Sequence, residues 1–175
     1  MKIRAYAKIN LALDVLEKDK KTGYHKISTV FYEYKNLYDE IKIKSAKKDL
    51  VEGWYKGKKT NIPKKDDIVL KTIKLLKQYK TIPDKYVHIK IIKKTPWGSG
   101  LAGGSSDAAA VLKALNRLWK LKLSKKDLMK IGGKIGKDVP FFIIGGIAFG
   151  ESFGEKLTVL PRIELKIKVL PKKSP

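Results

Sequence analysis

Residues 96–107 decide the fold, and they read Pro96-Trp97-Gly98-Ser99-Gly100-Leu101-Ala102-Gly103-Gly104-Ser105-Ser106-Asp107. A β-like run, residues 87–92, precedes them, and the apolar positions of residues 108–119 recur at helical spacing after them. Glycine lets a backbone approach a ligand closely and adopt positive φ, and a helix N-terminus presents free N–H groups to an anion. The sequence therefore predicts a strand, a phosphate-binding loop and a helix, in that order.

A second interpretation of this stretch is a plain glycine-rich connection in which Ser105 or Ser106 caps the helix. A Walker A loop is excluded because no Gly-Lys-Ser/Thr ends the stretch. The dinucleotide fingerprint is not matched either, because it needs a parallel βαβ unit and a later acidic residue. The serine pair at the start of a long apolar helix favours phosphate binding over the plain connection.

The run Pro-x-x-x-Gly-Leu-Ala-Gly-Gly-Ser-Ser resembles the phosphate loop of the GHMP kinases. The resemblance implies an α+β fold of the ribosomal protein S5 domain 2-like type, with a mixed or antiparallel sheet backed by helices. It also implies ATP and Mg²⁺ as ligands, with a hydroxyl of Ser105 or Ser106 helping to hold the metal. The residues that it assigns to ATP are Asp67, Lys93, Pro96, Gly98, Ser99, Gly100, Leu101, Ala102, Gly103, Gly104, Ser105, Ser106 and Asp107.

Composition sets limits on the class of protein. The chain has 175 residues, of which 43% are hydrophobic, enough for one domain with a sizeable core. It has no cysteine and two histidines, which excludes disulfides, a cysteine nucleophile and a His-rich metal site. The longest apolar run, residues 139–150, is too short to span a bilayer, and residues 1–5 do not open a signal peptide. We expect a cytoplasmic protein with no membrane partner.

The charge is strongly positive, with 40 Lys and Arg residues against 17 Asp and Glu residues and a net charge of +23. Such a field attracts nucleic acid, anionic membranes and phosphorylated ligands. The lysines, however, are scattered through every segment, and no arginine-rich or aromatic-interleaved nucleic-acid motif occurs. We therefore expect no specific nucleic-acid partner.

Residues 5–16 alternate, which predicts a half-buried strand with Ala5, Ala7, Ile9, Leu11, Leu13 and Val15 on its apolar face. Lys8 and Asn10 then lie side by side on the other face, where an ordinary solvated surface is the simplest interpretation. The run Ala-Lys-Ile-Asn-Leu-x-Leu, however, resembles the opening motif of the GHMP kinases that phosphorylate 4-diphosphocytidyl-2-C-methyl-D-erythritol. That resemblance implies a catalytic Lys8 and a substrate-binding Asn10 beside the transferred phosphate.

The triplet Gly23-Tyr24-His25 follows a predicted turn over residues 18–23. Taken singly, a tyrosine is more often a core residue and a histidine more often an ordinary surface residue. As a triplet they resemble the cytidine site of the same group of GHMP kinases. The resemblance implies a small-molecule cytidine diphosphate substrate, with Tyr24 stacking on cytosine and His25 reading its polar edge.

The remaining elements follow from periodicity and turn signals. Asp67 stands where the family usually has an asparagine that helps to hold adenine. The predicted elements are a strand from His25 to about Tyr34, a strand over 39–44, a hairpin and loop over 51–63, a helix from 66–67 to Tyr79, and a helix from Ser124 to about Lys134. Residues 145–150 and 154–157 resemble the late strand pair of the GHMP kinases, and the resemblance implies a strand pair there.

Asp138 lies in Gly136-Lys137-Asp138-Val139-Pro140-Phe141-Phe142. Considered alone, it is a helix N-cap with a proline close behind it. The same segment resembles the one that bears the catalytic aspartate of the GHMP kinases. That resemblance implies that Asp138 accepts the proton of the attacking hydroxyl.

The resemblance runs from Lys2 to Pro175. It predicts an N-terminal ATP-binding domain over 1–160, and a last strand and the start of a connection to a missing C-terminal domain over 161–175. Three functions remain open at this point. The chain is the ATP-binding half of a cytidyl-substrate kinase, or an inactive nucleotide-binding module that pairs with a separate C-terminal half, or a basic nucleic-acid-binding domain of the same fold.

Overall fold

The computed structural model describes residues 1–60, 67–80, 82 and 84–168. Within these ranges the chain forms seven strands and four helices. In chain order they are β1 (Lys2–Lys18), β2 (His25–Ala46), β3 (Leu50–Tyr55), β4 (Lys58–Lys59), α1 (Ile68–Tyr79), β5 (Tyr86–Lys93), α2 (Gly103–Leu118), α3 (Lys125–Ile135), α4 (Val139–Ile144), β6 (Ile147–Glu151) and β7 (Lys156–Val159).

All of these strands join one mixed sheet in the order β4-β3-β5-β2-β6-β7, with β1 paired to β2. The pairing of β3 with β5 is parallel, and the other pairings are antiparallel. The helices cover the sheet, and side chains from both layers form the core, among them Ile41, Ile89, Leu112, Leu115 and Phe141. The predicted α+β class is confirmed.

β2 joins the two halves of the sheet. Residues 29–32 pair with β6, and residues 40–46 pair with β5. The two strands predicted over 25–34 and 39–44 are therefore one strand. The pairing of β1 with β2 jumps from Tyr6–Tyr38 to Ala7–Tyr34, so an irregularity in β2 absorbs the extra residues without ending the strand.

β1 departs from the predicted alternation after this irregularity. Ala5 and Ala7 are buried as expected, but Lys8 is buried as well. Leu13 and Val15 are 51% and 63% exposed, so the prediction of a continuous apolar face was wrong for the outer half of the strand. Residues 11–18 are exposed on both faces of the strand, so this half of β1 lies outside the core and its apolar alternation does not mark a buried face.

The helix boundaries follow local capping chemistry. Asp67 is the N-cap of α1 and accepts hydrogen bonds from Val69 N and Leu70 N, while the alternative start at Asp66 lies outside the described residues. Ser124 and Asp127 form a reciprocal capping box at the start of α3. Both helices therefore begin where side-chain oxygens can satisfy their first N–H groups.

β6 and β7 form the predicted late strand pair. Beyond them, residues 161–168 form no strand, although a last strand was predicted from residue 161, and residues 169–175 lie outside the described part. None of the helices described has the length and apolar character needed to cross a membrane.

Candidate nucleotide and phosphoryl-transfer site

The predicted phosphate loop connects the end of β5 to the start of α2. Gly98, Gly100 and Ala102 have positive φ values of 66°, 74° and 52°. α2 begins at Gly103, with Ala102 at the N-cap and no side-chain capping hydrogen bond. The serines therefore lie inside the first turn and do not cap the helix, which leaves the helix N-terminus open to an anion.

The three serines of the loop have different surroundings. Ser99 Oγ donates to Pro96 O at 2.7 Å and stiffens the loop. Ser106 is buried, and its Oγ donates to Tyr6 O at 2.5 Å, which ties α2 to β1. Ser105 instead lines a cavity in front of the loop. Of the two serines predicted to help a metal, Ser105 is thus the one placed to reach a ligand.

This cavity, which we call the phosphate cavity, has a volume of about 370 Å³. It brings Lys8 of β1 and Asp138, which precedes α4, together with the loop. Its lining residues are Lys8, Ile68, Lys93, Thr95, Pro96, Trp97, Gly98, Ser99, Gly100, Ala102, Gly103, Gly104, Ser105 and Asp138.

Contacts of β1 fix the position of Lys8. Its backbone N–H donates to Leu101 O at 3.1 Å, which attaches the strand to the loop. Its Nζ donates to Asn10 Oδ1 at 2.6 Å, and Asn10 Nδ2 donates to Thr29 Oγ1 at 2.6 Å. The ammonium group is therefore held in one place by a short chain of neutral partners.

The charge on Lys8 is only partly compensated. Burial lowers the pKa of Lys8 below its ordinary value, and the attraction of Asp138 opposes that shift. The distance from Lys8 Nζ to Asp138 Oδ2 is 4.0 Å, longer than a hydrogen bond. A buried cation with a distant counter-ion is well suited to stabilise an incoming anion.

Asp138 occupies the N-cap position of α4, as one of the two sequence interpretations had it. Its side chain nevertheless makes no capping hydrogen bond, and it is 31% exposed. The carboxylate lines the phosphate cavity and remains available for another partner.

A second cavity, of about 800 Å³, adjoins the first, and we call it the apolar cavity. The two cavities share Ile68, Lys93, Trp97 and Gly104. Trp97 and Tyr55 pack with their ring centroids 5.1 Å apart, and both line the apolar cavity. Asp67 lies on its wall as well. A flat, largely apolar group attached to a phosphate chain fits this pair of cavities.

Lys93 and Asp107 were predicted to bind ATP, and the structure places them in a buried cluster at the cavities: Lys93 lines both cavities, and Asp107 lines the apolar cavity. Lys93 Nζ donates to Asp39 Oδ2, and it donates to Asp107 Oδ2 at 2.6 Å. Burial disfavours the charge on Lys93, yet the carboxylates of Asp107 and Asp39 outweigh it and raise the pKa of Lys93. Burial raises the pKa of Asp107 to about 8, against the opposing effect of Lys93.

Asp39 is the residue of this region that the sequence analysis missed. It is fully buried, and it lies on β2 in phase with the buried Ile41 and Ile43. A carboxylate at an inward position of an alternating strand was the available signal, because a buried charge requires a partner.

Tyr24 and His25 lie at the far end of the β1–β2 hairpin. Tyr24 is 62% exposed, with its ring 6.4 Å from that of Phe153. His25 Nδ1 lies 3.0 Å from Leu16 O, so Nδ1 carries the hydrogen and Nε2 faces elsewhere. Asn10 pairs with Phe31, six residues from His25 along β2, which corresponds to about 20 Å of strand. The structure thus separates the predicted cytidine contacts from the phosphate cavity.

A metal ion in the phosphate cavity would need phosphate oxygens of a bound nucleotide as ligands, in addition to protein side chains. Among the residues described, no group of three or more His, Asp and Glu side chains could hold a metal ion by itself. Mg²⁺ is usually bound by substrate phosphates with only one or two protein ligands. The Ser105 hydroxyl and the Asp138 carboxylate fit such a shared site and do not fit an all-protein one.

Comparison with known proteins agrees with this geometry. Residues 67–146, which include the loop and Asp138, match the GHMP kinases N terminal domain family. This chain contains a GHMP kinase N-terminal domain. It is similar to the 4-diphosphocytidyl-2-C-methyl-D-erythritol kinase of Caldicellulosiruptor bescii, with 42% identity over 160 residues, covering 91% of this chain and 54% of that protein. The protein of the same name from Clostridium acetobutylicum is 41% identical over 173 residues, covering 98% of this chain and 60% of that protein.

Solved structures share the fold. A crystal structure of 4-(cytidine 5'-diphospho)-2C-methyl-D-erythritol kinase superposes with a TM-score of 0.74 at 31% identity, covering 91% of this chain and 55% of that one. The mevalonate kinase of Methanococcus jannaschii has a TM-score of 0.60 at 19% identity over 95% of this chain and 56% of that one, a likeness of fold alone. The chain thus spans little more than half the length of these relatives.

Proposed function

We propose that this chain binds ATP and transfers its γ-phosphoryl group to the 2-hydroxyl of 4-diphosphocytidyl-2-C-methyl-D-erythritol, a step in isoprenoid precursor synthesis. The observation that carries this proposal is the phosphate cavity, where the open N-terminus of α2, the Lys8 ammonium and the Asp138 carboxylate meet. The similarity to kinases of that name along 91–98% of the chain supports the choice of substrate.

ATP would lie across the two cavities. Its polyphosphate fits the loop amides from Gly98 to Ser105, and its adenine fits the apolar cavity between Trp97 and Ile68. Asp67 lies at the apolar cavity, but its Oδ1 already accepts two backbone N–H groups of α1. The carboxylate oxygen of Asp67 that would contact adenine is therefore Oδ2.

The chemical step needs little covalent work from the protein, since positioning and charge stabilisation dominate phosphoryl transfer. The 2-hydroxyl oxygen forms a bond to the γ-phosphorus, the bond to the β-phosphate oxygen breaks, and ADP leaves. Asp138 accepts the hydroxyl proton because its carboxylate faces the cavity without a capping partner. Lys8 Nζ, 4.0 Å from Asp138 Oδ2, stabilises the negative charge on the moving group.

Asn10 and the hairpin would hold the second substrate. Asn10 is fixed beside Lys8, and it positions the end of the substrate that carries the hydroxyl. Tyr24 and His25 lie about 20 Å of strand away, so they suit the distal base of an elongated molecule. The exposed Tyr24 ring can stack on cytosine while His25 Nε2 meets its polar edge.

Mg²⁺ would be held chiefly by the ATP phosphates, with the Ser105 hydroxyl as the protein ligand. When it is bound, the metal neutralises part of the phosphate charge.

The test uses the chain itself and a chimera in which it replaces the matching residues of the Clostridium acetobutylicum relative. Each is mixed with Mg-ATP and the diphosphocytidyl substrate, and ³¹P NMR follows formation of the phosphorylated product. We expect product from the chimera, and a loss of at least about 1000-fold in kcat for Asp138→Asn with little change in ATP affinity. A chimera that binds ATP but phosphorylates an unrelated alcohol equally well would contradict the substrate assignment.

The same experiment addresses the second candidate, a nucleotide-binding module that works only with a separate C-terminal half. The chain spans 54% and 60% of the length of the two relatives named above. ATP binding by the chain, with turnover only in the chimera, is the result that supports it. Binding of RNA without binding of ATP would support the nucleic-acid alternative.

A further inference from the structure

The buried carboxylate of Asp39 lies where the phosphate loop begins. Asp39 Oδ1 accepts hydrogen bonds from the backbone N–H groups of Lys94 and Thr95, at 2.6 and 2.8 Å. These are the first two residues after β5, where the ladder of the sheet ends. Its Oδ2 accepts from Lys93 Nζ. A single side chain on β2 thus satisfies the donors at the entrance to the loop.

Lys93 extends this contact to the exit of the loop. Its Nζ also donates to Asp107 Oδ2, in the second turn of α2. Gly103, the first residue of α2, packs so closely here that an added Cβ would lie 2.9 Å from Thr95 Cβ and 3.1 Å from Lys93 Nζ. The entrance and the exit of the loop are therefore fastened to each other through the Asp39–Lys93–Asp107 cluster.

A buried cluster of charged groups is a poor source of folding stability. Buried ion pairs are often no more stabilising than well-packed apolar residues, whereas removal of one partner is strongly destabilising. Here the charged groups also direct the backbone. Because Asp39 binds the N–H groups of Lys94 and Thr95, those groups point away from the phosphate cavity. The N–H groups that remain for an anion are those further along the loop and at the start of α2.

We propose that Asp39 is a positioning residue of the nucleotide site, which acts by holding both ends of the phosphate loop in the conformation that binds a polyphosphate. Asp39 does not line either cavity. It acts on ATP through the Lys94 and Thr95 backbone and through Lys93. This proposal rests on the proposed function insofar as the ligand is ATP.

The first readout needs no ligand. Hydrogen–deuterium exchange is measured for peptides that cover residues 96–106 in the wild-type chain, in Asp39→Asn and in Asp39→Ala. Asn keeps an oxygen for the two backbone donors and loses the charge opposite Lys93, whereas Ala loses both. We expect faster exchange of the loop in Asn and faster still in Ala, with α3 unchanged. Unchanged exchange in the loop would overturn the proposal, whether or not ATP binds.

The second readout is affinity for Mg-ATP, measured by calorimetry on the same variants. We expect Asp39→Asn to bind Mg-ATP about tenfold more weakly, which is less than the full contribution of one charge-assisted hydrogen bond. Asp39→Ala should bind Mg-ATP more weakly still. In the chimera, the KM for ATP should rise more than kcat falls, because Asp39 touches no reacting atom. A fall in kcat at unchanged KM would contradict this role.

Two controls separate positioning from general destabilisation. Glu40→Gln changes the neighbouring carboxylate, which is exposed and pairs with Lys94 Nζ, and it should leave ATP affinity within about twofold. Ile43→Val removes a buried methylene from the same strand and should lower stability without loosening the loop. An equal loss of affinity in Ile43→Val and Asp39→Asn at matched stability would make Asp39 merely structural.

If the single variants fail to fold, Asp39→Asn is combined with Lys93→Met, which leaves no unpaired ammonium in the cluster. This double variant should fold and still show the faster loop exchange. A wild-type chain that fails to bind ATP would overturn the proposed function, while loop exchange in the variants would still decide the role of Asp39.

Discussion

Two buried lysines lie on either side of the phosphate loop, in opposite electrostatic situations. Lys93 contacts two carboxylates, and these outweigh burial and raise its pKa. Lys8 contacts the neutral Asn10 side chain, its nearest carboxylate is 4.0 Å away, and burial lowers its pKa. The charge of Lys93 is neutralised by carboxylates inside the protein, and the charge of Lys8 remains available to a ligand.

The comparison predicts different functions for these two lysines, although both line the phosphate cavity. A lysine held between two carboxylates fixes the backbone around it. A lysine that lacks a close counter-ion destabilises the empty site and gains most when an anion arrives. Exchanging each lysine for methionine, which has a similar length and no charge, tests this division directly.

The largest expected effect is on catalysis at Lys8. In the chimera, Lys8→Met should lower kcat by about 1000-fold, because it removes a cation from the position where transition-state charge develops. ATP affinity should fall far less, by about tenfold, since Lys8 supplies one charge-assisted contact to the γ-phosphate and the loop and the start of α2 supply the others. Steady-state kinetics and calorimetry measure the two quantities, and equal losses in both would remove the catalytic role of Lys8.

The next effect is on stability at Lys93. Lys93→Met leaves the buried Asp39 carboxylate without its counter-ion, so the free energy of unfolding should fall by about 3 kcal/mol. Denaturant titration measures this loss. Lys94→Met is the matched control, because Lys94 is exposed and pairs with Glu40 at the surface, and it should lower stability by less than about 1 kcal/mol. Similar losses in the two variants would refute the buried role of Lys93.

Stability should change in the opposite direction at Lys8. Burial disfavours the charged form, so Lys8→Met should raise the free energy of unfolding by about 1 kcal/mol near neutral pH. Because the folded pKa of Lys8 lies below 10.5, unfolding takes up a proton between those two values, and the wild type gains stability as pH rises through them. The advantage of the variant should therefore shrink toward pH 10.5. An advantage that grew with pH would contradict the direction of the pKa shift.

The smallest effect separates ligand contact from packing in the loop. In Gly104→Ala the new Cβ meets only Ile68 Cγ2, at 3.7 Å, so stability should rise by about 0.5 kcal/mol from helix propensity. Gly104 lines both cavities, and the methyl group should weaken ATP binding several-fold. Gly133→Ala in α3, where the Cβ meets nothing within 4 Å, is the control: it should gain similar stability with unchanged ATP affinity.

Much of this site could be predicted from the sequence. The loop and the capping of α1 and α3 follow from local chemistry, namely glycine spacing, Asp67 and Ser124, whereas the late strand pair was predicted through resemblance. Lys8 and Asp138 were identified only through resemblance, because their nearness depends on β1 and the start of α4 meeting at the loop. No local sequence pattern predicts that β1 and the start of α4 lie next to each other at the loop.

The buried charge cluster could not be predicted from local patterns, because it depends on tertiary contacts. Lys93 and Asp107 stay predicted ATP-binding residues, and Asp39 on a distant part of the chain binds Lys93 inside the protein. Asp39 and Lys93 are each in phase with buried isoleucines of adjacent strands, so a search for opposite charges at inward positions would have paired them. The prediction for the outer half of β1 was wrong for another reason: residues 11–18 are exposed on both faces, and the alternation does not show where the covering layer ends.

A crystal structure of the chain with Mg²⁺ and a non-hydrolysable ATP analogue tests the division of roles between the two lysines most directly. We predict the γ-phosphate within hydrogen-bonding distance of Lys8 Nζ, with Lys93 Nζ still bound to Asp39 and Asp107. A γ-phosphate bound by Lys93, or one that lies beyond the reach of Lys8, would contradict it.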